Sequence, residues 1–87
     1  MHFVYLLITQ NKHKLISYVG YTTNLKKRLS LHNHSKGAKF TRGRKWTLIY
    51  KEKYNSKKEA ISREYYIKNN RVLRNKIKNE YFNSSSL

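Results

Sequence analysis

The sequence predicts an α+β domain of three strands and about three helices. β-branched, aromatic and alternating runs at 2–8, 15–21 and 46–54 read as strands. Apolar residues recurring at three- and four-residue spacing read as helices over 25–32, 56–68 and 71–82. Eighty-seven residues leave room for one domain, expected over 1–82, with 83–87 as a polar, frayed tail.

The first run, HFVYLLI (2–8), has the composition of a strand buried on both faces. TQNKHK (9–14) is turn-like but lacks the Asn-Gly or Asp-Gly of a two-residue hairpin. LISYVGY (15–21) resumes as a second strand, and an antiparallel hairpin sets Tyr5 near Tyr18 across the ladder. Gly20 weakens a strand interior, so it marks a bend or a close approach to the backbone.

The stretch Tyr18 to His32 organises the rest. Thr23 or Asn24 offers a side-chain oxygen to the first free amides of a helix. Leu25, Arg28, Leu29 and His32 then share one face, two of them aliphatic and two not. Either Arg28 lays its stem on the core and extends its head to solvent, or a guanidinium and an imidazole are fixed beside Tyr18 as a site.

HNHSKGAKFTRGRK (32–45) carries Lys36, Lys39, Arg42, Arg44 and Lys45, two glycines and Phe40. It reads as a mobile basic loop that follows phosphates, with Phe40 either stacking on a base or tucked into the core. WTLIYKEKY (46–54) alternates as a third strand whose end fades into charge. Ser56 and Glu59 have capping-box spacing at the start of the next helix. In that helix Ala60, Ile61, Glu64, Ile67 and Lys68 share a face, which puts a carboxylate inside an apolar stripe. Such a carboxylate needs a partner or a metal; Arg28 is the candidate partner, or both serve one site. Val72, Leu73, Ile77 and Tyr81 form the stripe of the last helix.

Twenty Lys and Arg against four Glu and no Asp give a net charge of +16. A polyanion is the expected partner: nucleic acid first, with an anionic membrane or acidic protein behind it. No apolar run approaches the ~20 residues that span a bilayer, and no signal-peptide pattern opens the chain, so a cytoplasmic, nucleoid-associated location is expected. Without cysteine there is no disulfide framework and no Cys-ligated zinc. Two-metal nucleases gather several carboxylates, which Glu52, Glu59, Glu64 and Glu80, scattered along the chain, cannot easily supply.

These residues resemble the GIY-YIG nuclease superfamily, specifically its small single-domain bacterial members, the URI-domain endonucleases of the UvrC-related group. The resemblance covers residues 2 to 78. Phe3-Val4-Tyr5 stands where the family has Gly-Ile-Tyr, and Tyr18-Val19-Gly20 where it has Tyr-Ile-Gly; the first motif lacks its glycine but keeps the phenol. Arg28 follows ten residues after the second Tyr, then His32 four later, and GAKFTRGR (37–44) is similar to the single-domain subgroup. Glu64 stands where the family keeps its metal-binding carboxylate.

The resemblance implies a three-stranded antiparallel sheet flanked by helices, with the site on one sheet face. It implies metal-dependent hydrolysis of a phosphodiester, with Glu64 holding one Mg²⁺ for which Mn²⁺ substitutes. Arg28 would neutralise charge on the phosphate, and Tyr5 or Tyr18 would take the proton of the attacking water. His32 would orient or deprotonate the tyrosine, and with Arg28 it would lower the phenol pKa. The expected activity is a DNA endonuclease of low sequence specificity, with single-stranded, branched or damaged DNA open as substrates; the sequence leaves the oligomeric state open and favours a monomer. Lys27, Lys36, Lys39, Phe40, Arg42, Arg44, Lys45, Lys68 and Arg71 are the expected nucleic-acid contacts. The alternative is a catalytically weak module that binds DNA or RNA; a partner protein supplying specificity would leave no trace in the sequence.

Overall fold

In the computed structural model, which describes residues 1–34, 36 and 39–85 (without the side chains of Asn11 and Ser85), strand β1, His2–Asn11, is central. It pairs antiparallel with β2, Lys14–Thr22, on one side and with β3, Thr47–Tyr54, on the other. Every side chain from Val4 to Thr9 is buried, which is why this segment reads as a continuous apolar run. Alternation along β1 sends Val4 and Leu6 into one core and Tyr5 and Leu7 into another. The first core is closed by Ala60, Ile67 and Ile77 of the two later helices, the second by Trp46 and by Leu25 and Leu29 of the first helix.

The hairpin is tighter than the sequence predicts. Asn11 pairs with Lys14, so the turn is Lys12-His13 alone, and Lys12 takes the left-handed conformation at φ 57°. The polar residues expected as a loop are instead ladder ends. The register sets Tyr5 opposite Gly20 and Tyr18 opposite Leu7, so the two phenols meet on a diagonal rather than face to face.

Helix α1, Leu25–Asn33, starts at Asn24, whose side chain accepts from Lys27 N at 3.1 Å. A short 3₁₀ turn, Lys39–Thr41, leads to β3. Helix α2, Lys57–Lys68, is capped by Ser56, whose hydroxyl accepts from Glu59 N at 3.2 Å. Its inward stripe is Ala60, Arg63, Glu64 and Ile67, and Ile61, expected in the core, is 42% exposed.

What turns Arg63 inward is Glu52 of β3. The carboxylate accepts from Arg63 Nε at 2.8 Å and Nη2 at 3.0 Å, from Tyr54 Oη at 2.6 Å, and from Tyr50 Oη. Burial pushes the Glu52 carboxyl up, but Arg63 and the two phenols outweigh it and hold the group below its ordinary value. This stability is fully present above the ordinary carboxylate pKa and is lost as pH falls through the depressed folded value. Glu52→Gln is expected to cost about 1–3 kcal/mol at neutral pH and to flatten the acid limb of a denaturation profile, while leaving nucleic-acid affinity unchanged.

Helix α3, Arg71–Ser85, begins after Asn70, whose side chain accepts from Leu73 N at 3.0 Å. Ile77 is buried and Leu73 packs on the core, but Val72 is 80% exposed and leaves the predicted stripe. The segment expected to fray continues as helix through Ser85; Ser86 and Leu87 lie outside the described residues. Among the described residues no helix is long and apolar enough to cross a membrane.

Candidate active site

Tyr5 stands on β1 in the core that faces α1, 2% exposed. Its ring lies over the backbone of Gly20, where any side chain would collide with it. Its hydroxyl is 2.8 Å from His32 Nε2, and His32 is fully buried near the end of α1. The other ring nitrogen, Nδ1, is 2.8 Å from Thr41 Oγ1, also fully buried. Either neutral tautomer satisfies the chain: Nδ1–H donates to Thr41 while Nε2 accepts from the phenol, or Thr41 donates to Nδ1 while Nε2–H donates to the phenol.

Thr41 is itself held. Trp46 Nε1 donates to Thr41 O at 2.9 Å, the Trp46 amide donates to Asn33 Oδ1 at 2.6 Å, and Asn33 Nδ2 donates to Trp46 O at 3.1 Å. The segment expected as a mobile loop is therefore anchored at Thr41 and Trp46; Ser35, Gly37 and Ala38 lie outside the described residues.

Tyr18 is half-buried, its ring 6.4 Å from that of Tyr5 and 5.1 Å edge-on from His32. Burial pushes both phenols up; Arg28 pulls each down and Glu64 pushes each up. Burial wins at both, against the expectation that nearby cations would lower a phenol. Burial, with Arg28 second, lowers the pKa of His32, which keeps the imidazole neutral near pH 7. Two phenols, an imidazole, a guanidinium and a carboxylate thus share one electrostatic neighbourhood. Arg28 is half-buried and has no ion pair among the described residues. Glu64 does not pair with it. Its partner is Lys68, one turn along the same helix, at 3.8 Å.

The family described as the GIY-YIG catalytic domain matches residues 1–79. The chain belongs to the GIY-YIG family. It is 48% identical over 69 residues to a UPF0213 protein of Clostridium perfringens, covering 78% of this chain and 71% of that relative. It is 44% identical over 68 residues to a UPF0213 protein of Staphylococcus haemolyticus, covering 77% and 79%. A UPF0213 protein of Halobacterium salinarum is 45% identical over 69 residues, covering 78% of this chain and 86% of its own. No solved structure matches the chain. The GIY-YIG family is a nuclease family, and the three-stranded antiparallel sheet with its helices agrees with that membership.

In GIY-YIG terms, the two tyrosine motifs are adjacent strands, and Gly20 of the second motif supplies the floor on which Tyr5 of the first is laid. Of the expected nucleic-acid contacts, Lys27, Lys36, Lys39, Arg42, Lys45, Lys68 and Arg71 are exposed. Phe40 is neither free nor tucked away: it is 53% exposed, stacks on Tyr18 at 6.2 Å, and carries the Arg44 guanidinium 5.7 Å from its ring centre. Sequence reasoning missed Thr41, Trp46 and Asn33. The only signal for Thr41 was its place in the GAKFTRGR segment shared with the single-domain subgroup.

Proposed function

We propose that the chain is a metal-dependent endonuclease that hydrolyses phosphodiester bonds in DNA with little sequence specificity. The observation that carries this reading is the buried Tyr5–His32–Thr41 chain beside the Arg28 guanidinium, which has no ion pair among the described residues. A buried phenol needs a hydrogen-bond partner in any case; what favours chemistry is that this partner is an imidazole able to take the phenol's proton, with the Arg28 charge acting on both.

The raised pKa of Tyr5 argues against a free phenolate as the resting base. A relay avoids it: Tyr5 takes a proton from the attacking water as it passes its own to His32 Nε2. Thr41 holds the imidazole ring in place and accepts from Nδ1–H in the tautomer the relay uses. Arg28 neutralises the charge that grows on the phosphate as the new bond forms. Tyr18, half-buried and stacked on the exposed Phe40, is the more accessible of the two phenols and would meet the substrate.

The donor set suits a single hard cation. Among the described residues no three His, Cys, Asp or Glu side chains gather as a metal cage. Mg²⁺ commonly takes one or two carboxylates and completes its shell with water and substrate oxygens. Glu64, half-buried and within electrostatic reach of both tyrosines, would hold it, with Mn²⁺ able to substitute. Such an ion supplies Lewis-acid stabilisation of the phosphate and leaving oxygen. Exposed lysines and arginines bind phosphate without reading sequence.

The test is cleavage of labelled single-stranded, duplex and branched DNA with Mg²⁺, Mn²⁺ or EDTA. Cutting that requires the ion and is lost in Tyr5→Phe supports the reading. DNA binding without cutting on every substrate leaves the alternative, a binding module.

The relay also fixes a pH dependence. His32 accepts a proton only when neutral, so cleavage is expected to hold above its ordinary pKa of ~6.5 and to fall as pH drops through the lowered folded value. Stability follows the same sign. Below ~6.5 the unfolded chain binds a proton that the folded chain refuses, so folding weakens as pH falls through that window. A rate that climbs steadily toward pH 10 would point to phenolate as the base and sink the relay.

A further inference from the structure

Four consecutive residues, Arg42 to Lys45, turn back on Gly43 at φ 75°, and a Cβ there would meet nothing within 4 Å. With Thr9 and Gln10 at the end of β1 they line a recess of about 530 Å³. The recess holds three cations and no carboxylate, and none of the three has an ion pair among the described residues. Arg44 is held by Phe40 on one side, and its Nη1 is buried with no hydrogen-bond partner among the described residues. A buried guanidinium nitrogen left without an acceptor is costly, and a ligand made only of acceptors removes that cost if the Arg44 head swings toward the recess it lines. Arginine forks match phosphate oxygens, and Thr9 adds a hydroxyl.

Its position adds a distance. Tyr5 and Thr9 stand on the same face of β1, four residues apart, which at ~3.3 Å per residue is about 13 Å. One strand of duplex DNA advances ~3.4 Å per nucleotide along its axis, so this gap equals roughly four duplex steps, and fewer in an extended strand.

We propose that the recess at the Gly43 turn is a second phosphate subsite, which grips the backbone of the same nucleic-acid strand about two to four nucleotides from the phosphate beside Tyr5. The proposal rests on the nuclease reading for the occupant of the Tyr5 site. It makes the chain sensitive to substrate length: a strand too short to reach both places gains nothing from the recess.

The experiment is binding of end-labelled single-stranded oligonucleotides of two to ten nucleotides, with matched duplexes, to the full chain in EDTA. Wild type is compared with Arg44→Gln and with Arg42→Gln, the second an exposed position whose change leaves the fold intact. Melting curves check both variants. The expected result is a penalty that is absent for the shortest strands and rises to on the order of ten-fold or more once the strand exceeds about four to six nucleotides. Equal penalties at every length, or none, overturn the proposal. So does saturable capture of inorganic phosphate at Gly43, read by amide NMR shifts, with no length step, because that describes an isolated anion site. A length step in a chain that never cuts DNA would leave the subsite standing and remove the nuclease reading. Cutting with no length step does the reverse.

Discussion

Replacing Glu64 by Ala is expected to abolish cleavage, by at least about 10²–10³-fold, while DNA affinity in EDTA stays the same or tightens. The two effects part because they draw on opposite properties of one carboxylate. A negative charge repels phosphate, so a protein that only binds DNA gains nothing from keeping it among cations. A protein that must hold a cation against phosphate cannot do without it. Stability should barely move, since the partner of Glu64 is Lys68, 57% exposed and 3.8 Å away, and such pairs are worth about 0–1 kcal/mol. Losing the carboxylate also removes one influence that raises the Tyr5 and Tyr18 phenols, so a direct titration of the tyrosines should shift to lower pH in the variant. Glu64→Gln keeps the shape and removes the charge, and it should behave as the Ala variant does. Wild-type rates in either variant would remove Glu64 from the chemistry.

The three strands and the residues Tyr5, Tyr18, Arg28 and His32 were legible because each carries a local signature. An apolar run announces a buried strand, and a His and an Arg on the inward stripe of a short helix stand out against their neighbours. What was illegible depends on contacts far apart in the chain. Thr41 looks like any loop threonine until Trp46 and Asn33 pin its segment against α1. The inward stripe of α2 keeps Ala60, Glu64 and Ile67 but takes Arg63 in place of Ile61 and Lys68, a choice that helical periodicity alone cannot make. Glu52, eleven residues upstream, makes that choice. The direction of the phenol shifts was misjudged for a related reason: composition reports the cations, but only the fold reports how deeply the tyrosines are buried, and at both tyrosines burial is the larger influence.

Gly20→Ala should be the most damaging single-methyl change in the sheet. A Cβ there would lie 2.3 Å from Tyr5 Oη, 2.4 Å from Cζ and 2.9 Å from Cε2. The glycine is required by space, because it sits within an ordinary β2 ladder directly opposite Tyr5. The ring has nowhere to retreat: it is 2% exposed, and its hydroxyl is tied to His32. Overpacking of this kind costs about 1–3 kcal/mol, and tilting the ring away breaks the 2.8 Å contact with Nε2 on which the relay depends. Stability and cleavage are therefore expected to fall together. Tyr5→Phe should not rescue the fold, since the Cζ clash survives removal of the hydroxyl. Tyr5→Ala removes the obstacle, so the Gly20→Ala/Tyr5→Ala double variant should be more stable than the sum of its singles by about 1 kcal/mol or more, yet remain inactive. Thermal melts and cleavage rates on the four members of that cycle separate the two roles of the glycine. Additive stabilities, or a Gly20→Ala chain that melts and cuts like wild type, would mean that Tyr5 does not rest on this floor.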